Sequence, residues 1–390
     1  MSLVVLGPSA NMTRAAHNLE TDLIIVQPPG ASKAEFVRPE RDELYTVDYV
    51  DADELASFAR VLRSRGDVAG VVSTTERGLE PAGRLVEDLG VAGTALQTVM
   101  ASRDKRLMRQ LLARHAPDLT VPCASASDHD AVADLLGRGA RAIFKPAFGT
   151  GSAGVQTVST IADLERIPAQ AREEGLVEAF MSGVEVTVET LSSAGRHAIL
   201  GVAEKWITDN FVEVGHVMPP PSLSPAQLER VGTAVSRLLD VIGLTDGVAC
   251  TEVMVEGNDV KIVETHNRLG GDGVADLVHA TTGVDWRLTS LGWPVGELPE
   301  RGRCRADAAA MVFFVADEGV VASVLGQAPE LADVTFELWA PSVEVGDTVG
   351  RLRSSDDRLG AARLVGPDPH TCAKALEHVL SLKAVKTVRA

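Results

Sequence analysis

Residues 143–158, IFKPAFGTGSAGVQTV, join a strand-like run to one lysine and three glycines. Lys145 leaves the strand just ahead of Gly149, Gly151 and Gly154. Glycines let backbone N–H groups approach anionic oxygens without a Cβ clash, and a lysine supplies a point charge for a polyphosphate. No Gly-Lys-Ser or Gly-Lys-Thr follows the glycines, so the stretch is not a P-loop. A glycine-rich hairpin with no ligand is the competing reading.

The second chemical feature is a carboxylate pair, Glu252 and Glu264, in GVACTEVMVEGNDVKIVETHNRLGG. A hairpin turning at EGND would set the two on neighbouring strands, where they could meet. Two adjacent carboxylates need a cation, and a hard divalent ion is commonly held by one or two carboxylates plus nucleotide phosphates. Solvent-facing strand glutamates are the alternative. Strand alternation puts Glu264, His266 and Arg268 on one face and Asn267 on the other. An arginine there could clamp phosphate, and Gly270 and Gly271 allow close backbone approach to a substrate carboxylate.

These residues need elements to hold them. SLVVLG, DLIIVQ and VAGVVST read as buried strands, with TRAAHNLE, LASFARVLRSRG and EPAGRLVEDLG as helices between and after them. Residues 1–100 are therefore expected to form a small parallel-sheet domain. The turn GPSAN lacks the glycine fingerprint and acidic partner of a nicotinamide site. A second α/β unit is expected over 101–180, with DKRLMRQLLARHAP and AVADLLGRG helical and TVPCASA and RAIFKPA extended. Over 181–300, EVTVETLSS and HAILGVAEKWIT suggest antiparallel strands, SPAQLERVGTAVSRLLDVIG a long helix, and the carboxylate hairpin follows. Residues 301–390 look short-stranded, a small β-rich lobe.

Composition excludes several classes. The 390 residues carry a formal net charge of −17, with 45% hydrophobic and 23% charged residues. A folded chain of two or three domains follows. The acidic balance argues against nucleic acid and anionic membrane as partners, so positive charge for any nucleotide must be placed locally. No apolar run approaches the ~20 residues of a membrane span, and the N-terminus has no secretion signal, so a cytoplasmic protein is the default expectation. Cys123, Cys250, Cys304 and Cys372 lie too far apart to suggest a zinc pair.

In this order, TTERGLEPAGRLVEDLGVAG, MASRDKRLMRQLLARH, FKPAFGTGSAG, LVEAFMSGVEVTVE, TEVMV and VETHNR resemble the ATP-grasp superfamily, most strongly from Glu76 to about Trp286. The resemblance implies an α/β and α+β multidomain chain, an ATP-grasp fold with an N-terminal Rossmann-like domain and a small β-rich lobe completing the ligase domain. It implies Lys105 and Lys145 as phosphate lysines and Gly149, Gly151, Ser152 and Gly154 as the loop over ATP. It further implies Glu178, Ala179, Phe180 and Met181 as the adenine hinge, Glu185 at the ribose, Glu252 and Glu264 as Mg2+ ligands with Mn2+ as an alternative ion, and Arg268 as the phosphate arginine. One departure stands out: the family's Glu-x-Asn spacing falls on His266, and Asn267 comes one residue later. Either His266 turns to substrate and two glutamates hold the metal, or a bulge brings Asn267 inward.

The run ETHNRLGGDGVADLVHATTGVDW looks most like the L-amino-acid ligase branch. That implies a carboxylate activated as an acyl phosphate and passed to an amine, with ADP and phosphate released; amino acids are the expected substrates, carried in part by His216, His266, Asn267, Gly270 and Gly271. Glu204, Lys205 and Glu213 are further candidates near the acceptor. A γ-glutamyl-type amide or a carboxylase-like reaction would use the same nucleotide site, and a non-catalytic nucleotide sensor is the alternative of another class. A homodimer is the base-rate assembly.

Overall fold

The computed structural model describes residues 1–31, 38, 40–138 and 141–389. Its first sheet is parallel, built from β1 (Ser2–Leu6), β2 (Asp22–Gln27), β3 (Glu43–Thr46) and β4 (Val68–Ser73) in the order β3-β2-β1-β4. The inner strands are apolar runs because they are covered on both faces, as parallel strands require. Helices α1 (Ala10–Ala16), α2 (Ala52–Arg65) and α3 (Glu76–Leu89) cover it. Asp51 starts α2 by accepting from the Asp53 and Glu54 amides, and Gly66 ends it in the left-handed region at φ 70°. The edge strand β3 escapes a sequence reading, since three of its four residues are polar or exposed.

Helix α4 (Leu96–Arg103) crosses from this sheet to α5 (Lys105–His115). The next sheet is antiparallel: β5 (Cys123–Ser125), α6 (His129–Arg138), β6 (Ala142–Pro146), β7 (Gln156–Val158), α7 (Ile161–Glu165), α8 (Ala169–Glu173) and β8 (Gly175–Ala179), with strand order β5-β8-β6-β7. The helical reading of 131–139 holds to Arg138; residue 139 lies outside the described residues.

The largest sheet begins with β9 (Val184–Ser193), β10 (Arg196–Ile207) and β11 (Glu213–Met218), followed by α9 (Pro225–Val241), β12 (Gly247–Glu256), β13 (Asp259–His266), α10 (Val274–Thr282) and α11 (Trp286–Gly292). On one face, Val231, Val235 and Leu238 of α9 and Met108 and Leu112 of α5 bury against Val186, Val188, Val253 and Ile262 of the strands. Each such side chain contributes about 1.5–3 kcal/mol. The opposite face is thereby left for polar side chains.

The C-terminal stretch holds β14 (Ala308–Phe313), β15 (Gly319–Val324), β16 (Thr335–Pro341), β17 (Thr348–Val349), β18 (Gly360–Gly366), α12 (Pro369–Leu382) and β19 (Val385–Val388). Strands β14, β18 and β16 extend the large sheet, whose full order is β13-β12-β9-β10-β11-β14-β18-β16, while β17, β15 and β19 form a three-stranded sheet. Helix α12 was not expected from sequence. Its buried positions include Cys372, Ala373 and Ala375, which give weak hydropathic contrast, but its start is written locally: Asp368 caps the Thr371 amide and Pro369 takes the first turn. Among the described residues no helix is long and apolar enough to cross a membrane.

Candidate active site

Strand β6 carries Lys145 into a cleft of about 790 Å³. Its Nζ lies 3.0 Å from Glu178 on the neighbouring β8, and Arg109 from α5 grips the same carboxylate at 2.6 and 3.2 Å. Arg109 also donates to the Ile262 and Val263 carbonyls at 2.7 and 3.0 Å, tying this sheet to β13. Burial opposes the Glu178 charge, but Arg109 and Lys145 outweigh it and hold its pKa at about 2. Lys105, the first residue of α5, reaches Glu264 at 2.7 Å and the Gly149 carbonyl at 3.1 Å. Both phosphate-lysine candidates therefore stand in one cleft with Glu178, Ala179, Phe180, Met181 and Glu185.

The glycine loop lines the cleft through Gly149, Thr150, Ser152 and Ala153. Gly149, Gly151 and Gly154 have φ of 137°, 63° and 78°, values that L side chains resist. Gly154 packs on Pro146, and Gly151 faces the second cleft described below. Ser152, at φ 60°, donates its hydroxyl to the Phe211 carbonyl at 2.7 Å, and Phe211 is itself at φ 66°.

Glu252 and Glu264 are direct partners across the β12–β13 hairpin, as the turn position implied. Each already has a lysine. Lys105 holds Glu264, and Lys205 sits 3.1 Å from Glu252, 2.7 Å from Glu185 and 2.8 Å from Glu213. Burial lowers the Lys205 pKa, yet Glu185, Glu252 and Glu213 together raise it well above that of an ordinary lysine. Glu252 is pushed up to about 7, first by burial and, despite Lys205, by the facing Glu264. Two partly buried carboxylates that both line one cleft suit a hard divalent cation. Among the described residues no three or more His, Cys, Asp or Glu side chains group into a closed cage. The donor set thus fits an ion that takes its remaining ligands from phosphate and water.

The two options for residues 266 and 267 separate here. His266 shares the face of Glu264, with Nε2 3.1 Å from Glu264 and Nδ1 3.0 Å from Glu76. Burial disfavours its charge, but these two carboxylates raise its pKa to about 9. Asn267 lies on the other side and accepts from the Ser102 hydroxyl at 2.6 Å. The only register break in the hairpin falls between Glu252 and Val253, so no bulge turns Asn267 inward.

A second cleft, about 780 Å³ in volume, shares Glu252 and Glu264 with the first and continues past His266, Arg268, Gly271, Asp272 and Arg358. Arg268 Nε is 3.2 Å from Glu76, the first residue of α3, which also takes Arg103 Nε at 3.0 Å. Burial opposes the Glu76 charge; His266, Arg268 and Arg103 override it and bring its pKa to about 2. Glu76 was not singled out from sequence, although it follows the carboxyl end of β4, where parallel sheets gather ligand groups. Asp272, at φ 57°, is forked by Arg358 at 2.5 and 2.9 Å, and Arg358 stacks on Phe313.

Glu204, His216 and Gly270 fall outside the clefts, whereas Glu213 lines the second. Glu204 accepts from the Ser222 amide and hydroxyl, a turn-forming role. His216 is buried behind Asp272 at 3.6 Å and edge-on to Phe313. Gly270 turns its amide onto buried Glu189, leaving Gly271 to line the cleft.

The chain resembles known proteins in sequence and fold. Residues 102–272 match a family model described as ATP-grasp domain, and residues 312–387 match L-amino acid ligase C-terminal domain 2. An uncharacterised protein of Sinorhizobium fredii, y4rH, is 26% identical over 85% of this chain and 71% of its own length. Human carnosine synthase 1 is 24% identical over 68% of this chain, a match that spans 36% of that longer protein. The crystal structure of L-amino acid ligase from Bacillus licheniformis superposes with a TM-score of 0.79 at 18% identity, over 100% of this chain and 98% of that one.

Proposed function

We propose, from the premise that this chain belongs to the ATP-grasp superfamily, that it is an ATP-dependent ligase joining a carboxylate to an amine, with amino acids as the substrates. One observation carries the reading. The two clefts meet at Glu252 and Glu264, so a nucleotide held by Lys105 and Lys145 would end where a substrate beside Arg268 begins.

A substrate carboxylate oxygen attacks the γ-phosphorus of ATP; the bond to the β-phosphate oxygen breaks, giving ADP and an acyl phosphate. The amine nitrogen then attacks the acyl carbon, the carbon–oxygen bond breaks, phosphate leaves, and the nitrogen gives up its proton to a basic oxygen or water. No protein nucleophile is needed, and placement with charge stabilisation supplies the catalysis. Ala179 to Met181 offer backbone and apolar contacts for adenine, and Glu185 an acceptor for ribose hydroxyls. Lys105 and Lys145 would offset phosphate charge, and Arg268 charge at the acyl phosphate. Glu252 and Glu264 would hold Mg2+, which supplies Lewis-acid neutralisation of the phosphates when bound. A nucleotide sensor would need the first cleft alone; the charged second cleft favours the ligase.

The test is phosphate release from Mg·ATP across single amino acids and their pairs, with mass spectrometry of active mixtures. Release that requires two amino acids, a product lighter by one water, and loss of both in Glu264→Ala support the reading. ATP binding without release in any mixture, including non-amino-acid carboxylates, would overturn it in favour of a sensor.

A further inference from the structure

Strand β9 sends Glu185, Thr187 and Glu189 to the face that carries the site. Glu185 belongs to the nucleotide cleft, while Glu189 is fully buried, one rung past the Glu252–Glu264 pair and directly beside Cys250 of β12. Above it runs the loop 267–273, which bears Arg268 and Asp272. Both Glu189 oxygens accept from the Gly270 amide, at 3.0 and 3.1 Å, and Oε2 accepts from Trp286 Nε1 at 2.5 Å. Among the described residues no cation pairs with this carboxylate at contact distance: the Gly270 amide, the Trp286 indole and the Cys250 thiol meet it, and Arg268 acts on it only through its charge. A Cβ at Gly270 would collide with Glu189 Oε1, so the backbone rests on the carboxylate without clearance.

A bare buried carboxylate costs free energy unless it does something with its hydrogen bonds. Here they fix the backbone two residues beyond Arg268 and two before Asp272. The geometry points to Glu189 as a positioning residue for the ligase reaction: its length, rather than its charge, sets how far the Arg268–Asp272 loop projects into the second cleft. This inference rests on the ligase reading of that cleft.

Length and charge separate in two variants. Glu189→Gln keeps the length; with its carbonyl in the Oε2 place it still accepts from both Gly270 and Trp286, and only the second Gly270 bond, to Oε1, is lost to the NH2 group. Glu189→Asp keeps the charge but withdraws it by one methylene. With the best substrate pair, the glutamine variant should hold kcat within about threefold of wild type. The aspartate variant should lose about 10- to 100-fold, the range expected for a misplacement near 1 Å. The KM for ATP should stay within about twofold in both. Hydrogen exchange at the Gly270 amide should quicken in the aspartate variant and stay slow in the glutamine variant, with β13 unchanged. Equal damage in both variants would overturn the inference, as would unchanged kcat in the aspartate variant or a matching loss of ATP affinity. A wild-type protein silent in every mixture would defeat the ligase reading instead, and the Gly270 exchange would still decide whether Glu189 holds the loop.

Discussion

Replacing Arg109 with methionine tests the idea that one buried arginine supports both the fold and Lys145, the lysine proposed to meet phosphate. The guanidinium makes two bonds to Glu178 and one each to the Ile262 and Val263 carbonyls. Removing it leaves a fully buried carboxylate facing Lys145 alone, and truncating one partner of a buried pair costs about 3–5 kcal/mol. The depression of the Glu178 pKa from 4.5 to about 2 gives an independent figure of roughly 3 kcal/mol, shared between Arg109 and Lys145. If the whole chain melts together, unfolding entropy of about 0.8 kcal/mol/K turns 4 kcal/mol into a fall of about 5 °C; if only the middle half melts, about 10 °C. Calorimetry reads that fall. Lys145, left as sole counter-ion, should be drawn from phosphate, so the Kd for ATP should rise as well, measured by isothermal titration. Arg109→Lys restores charge without the fork and should fall between. A drop under about 2 °C with unchanged ATP affinity would refute the reasoning.

Three further outcomes follow from the same contacts. Glu76 and Glu178 both have folded pKa values near 2, below the unfolded value of 4.5, so their stabilisation is complete above about pH 4.5 and is lost as pH falls through 2. Acid titration of the melting temperature should show this limb, and Glu76→Gln should reduce the protons taken up on acid unfolding by about one. Lys205→Met should leave Glu185, Glu213 and Glu252 without their shared cation and lower the Tm by several degrees in the absence of nucleotide, with Mg·ATP restoring part of the loss; no Tm change would show that the lysine is dispensable. Ser152→Ala removes the tie between the glycine loop and the Phe211 carbonyl, so the loop should be cut faster by protease and the KM for ATP should rise about 3- to 10-fold, the worth of one hydrogen bond. Equal cleavage rates would show that the tie does not hold the loop.

What was legible from sequence was local. The β12–β13 hairpin could be registered because its turn fixes which residues face each other, and Glu252 opposite Glu264 follows from that register alone. The glycine loop announced itself through Lys145 and three glycines within ten residues. The residues that went unseen come from afar. Glu76 meets His266 across 190 positions, Arg109 meets Glu178 across 69, and Arg358 meets Asp272 across 86. Nothing in the neighbourhood of any of these marks it as more than a helix or loop charge. Lys205 was named only as an acceptor-side candidate, because strand alternation cannot reveal that three glutamates from three strands converge on it. Glu204, one residue away, shows the limit of proximity as a guide: it points to the opposite side and closes a turn.

The lysine pairings explain how so acidic a chain could present a site for a polyanion. Lys105 and Lys205 pair with Glu264 and Glu252, the two carboxylates proposed to hold the divalent ion. Four glutamates around two lysines leave the cleft short of positive charge, so free ATP alone would meet repulsion that Mg·ATP would relieve. If Glu264 held the ion, Lys105, 3.1 Å from the Gly149 carbonyl, would be freed to meet phosphate. Metal and nucleotide should therefore bind with positive coupling, each tightening the other by the same factor. Titrating ATP affinity against Mg2+ in the wild type and in Glu264→Gln measures it. The coupling should shrink in the variant, and equal coupling in both would mean that the carboxylate–lysine exchange is not its source.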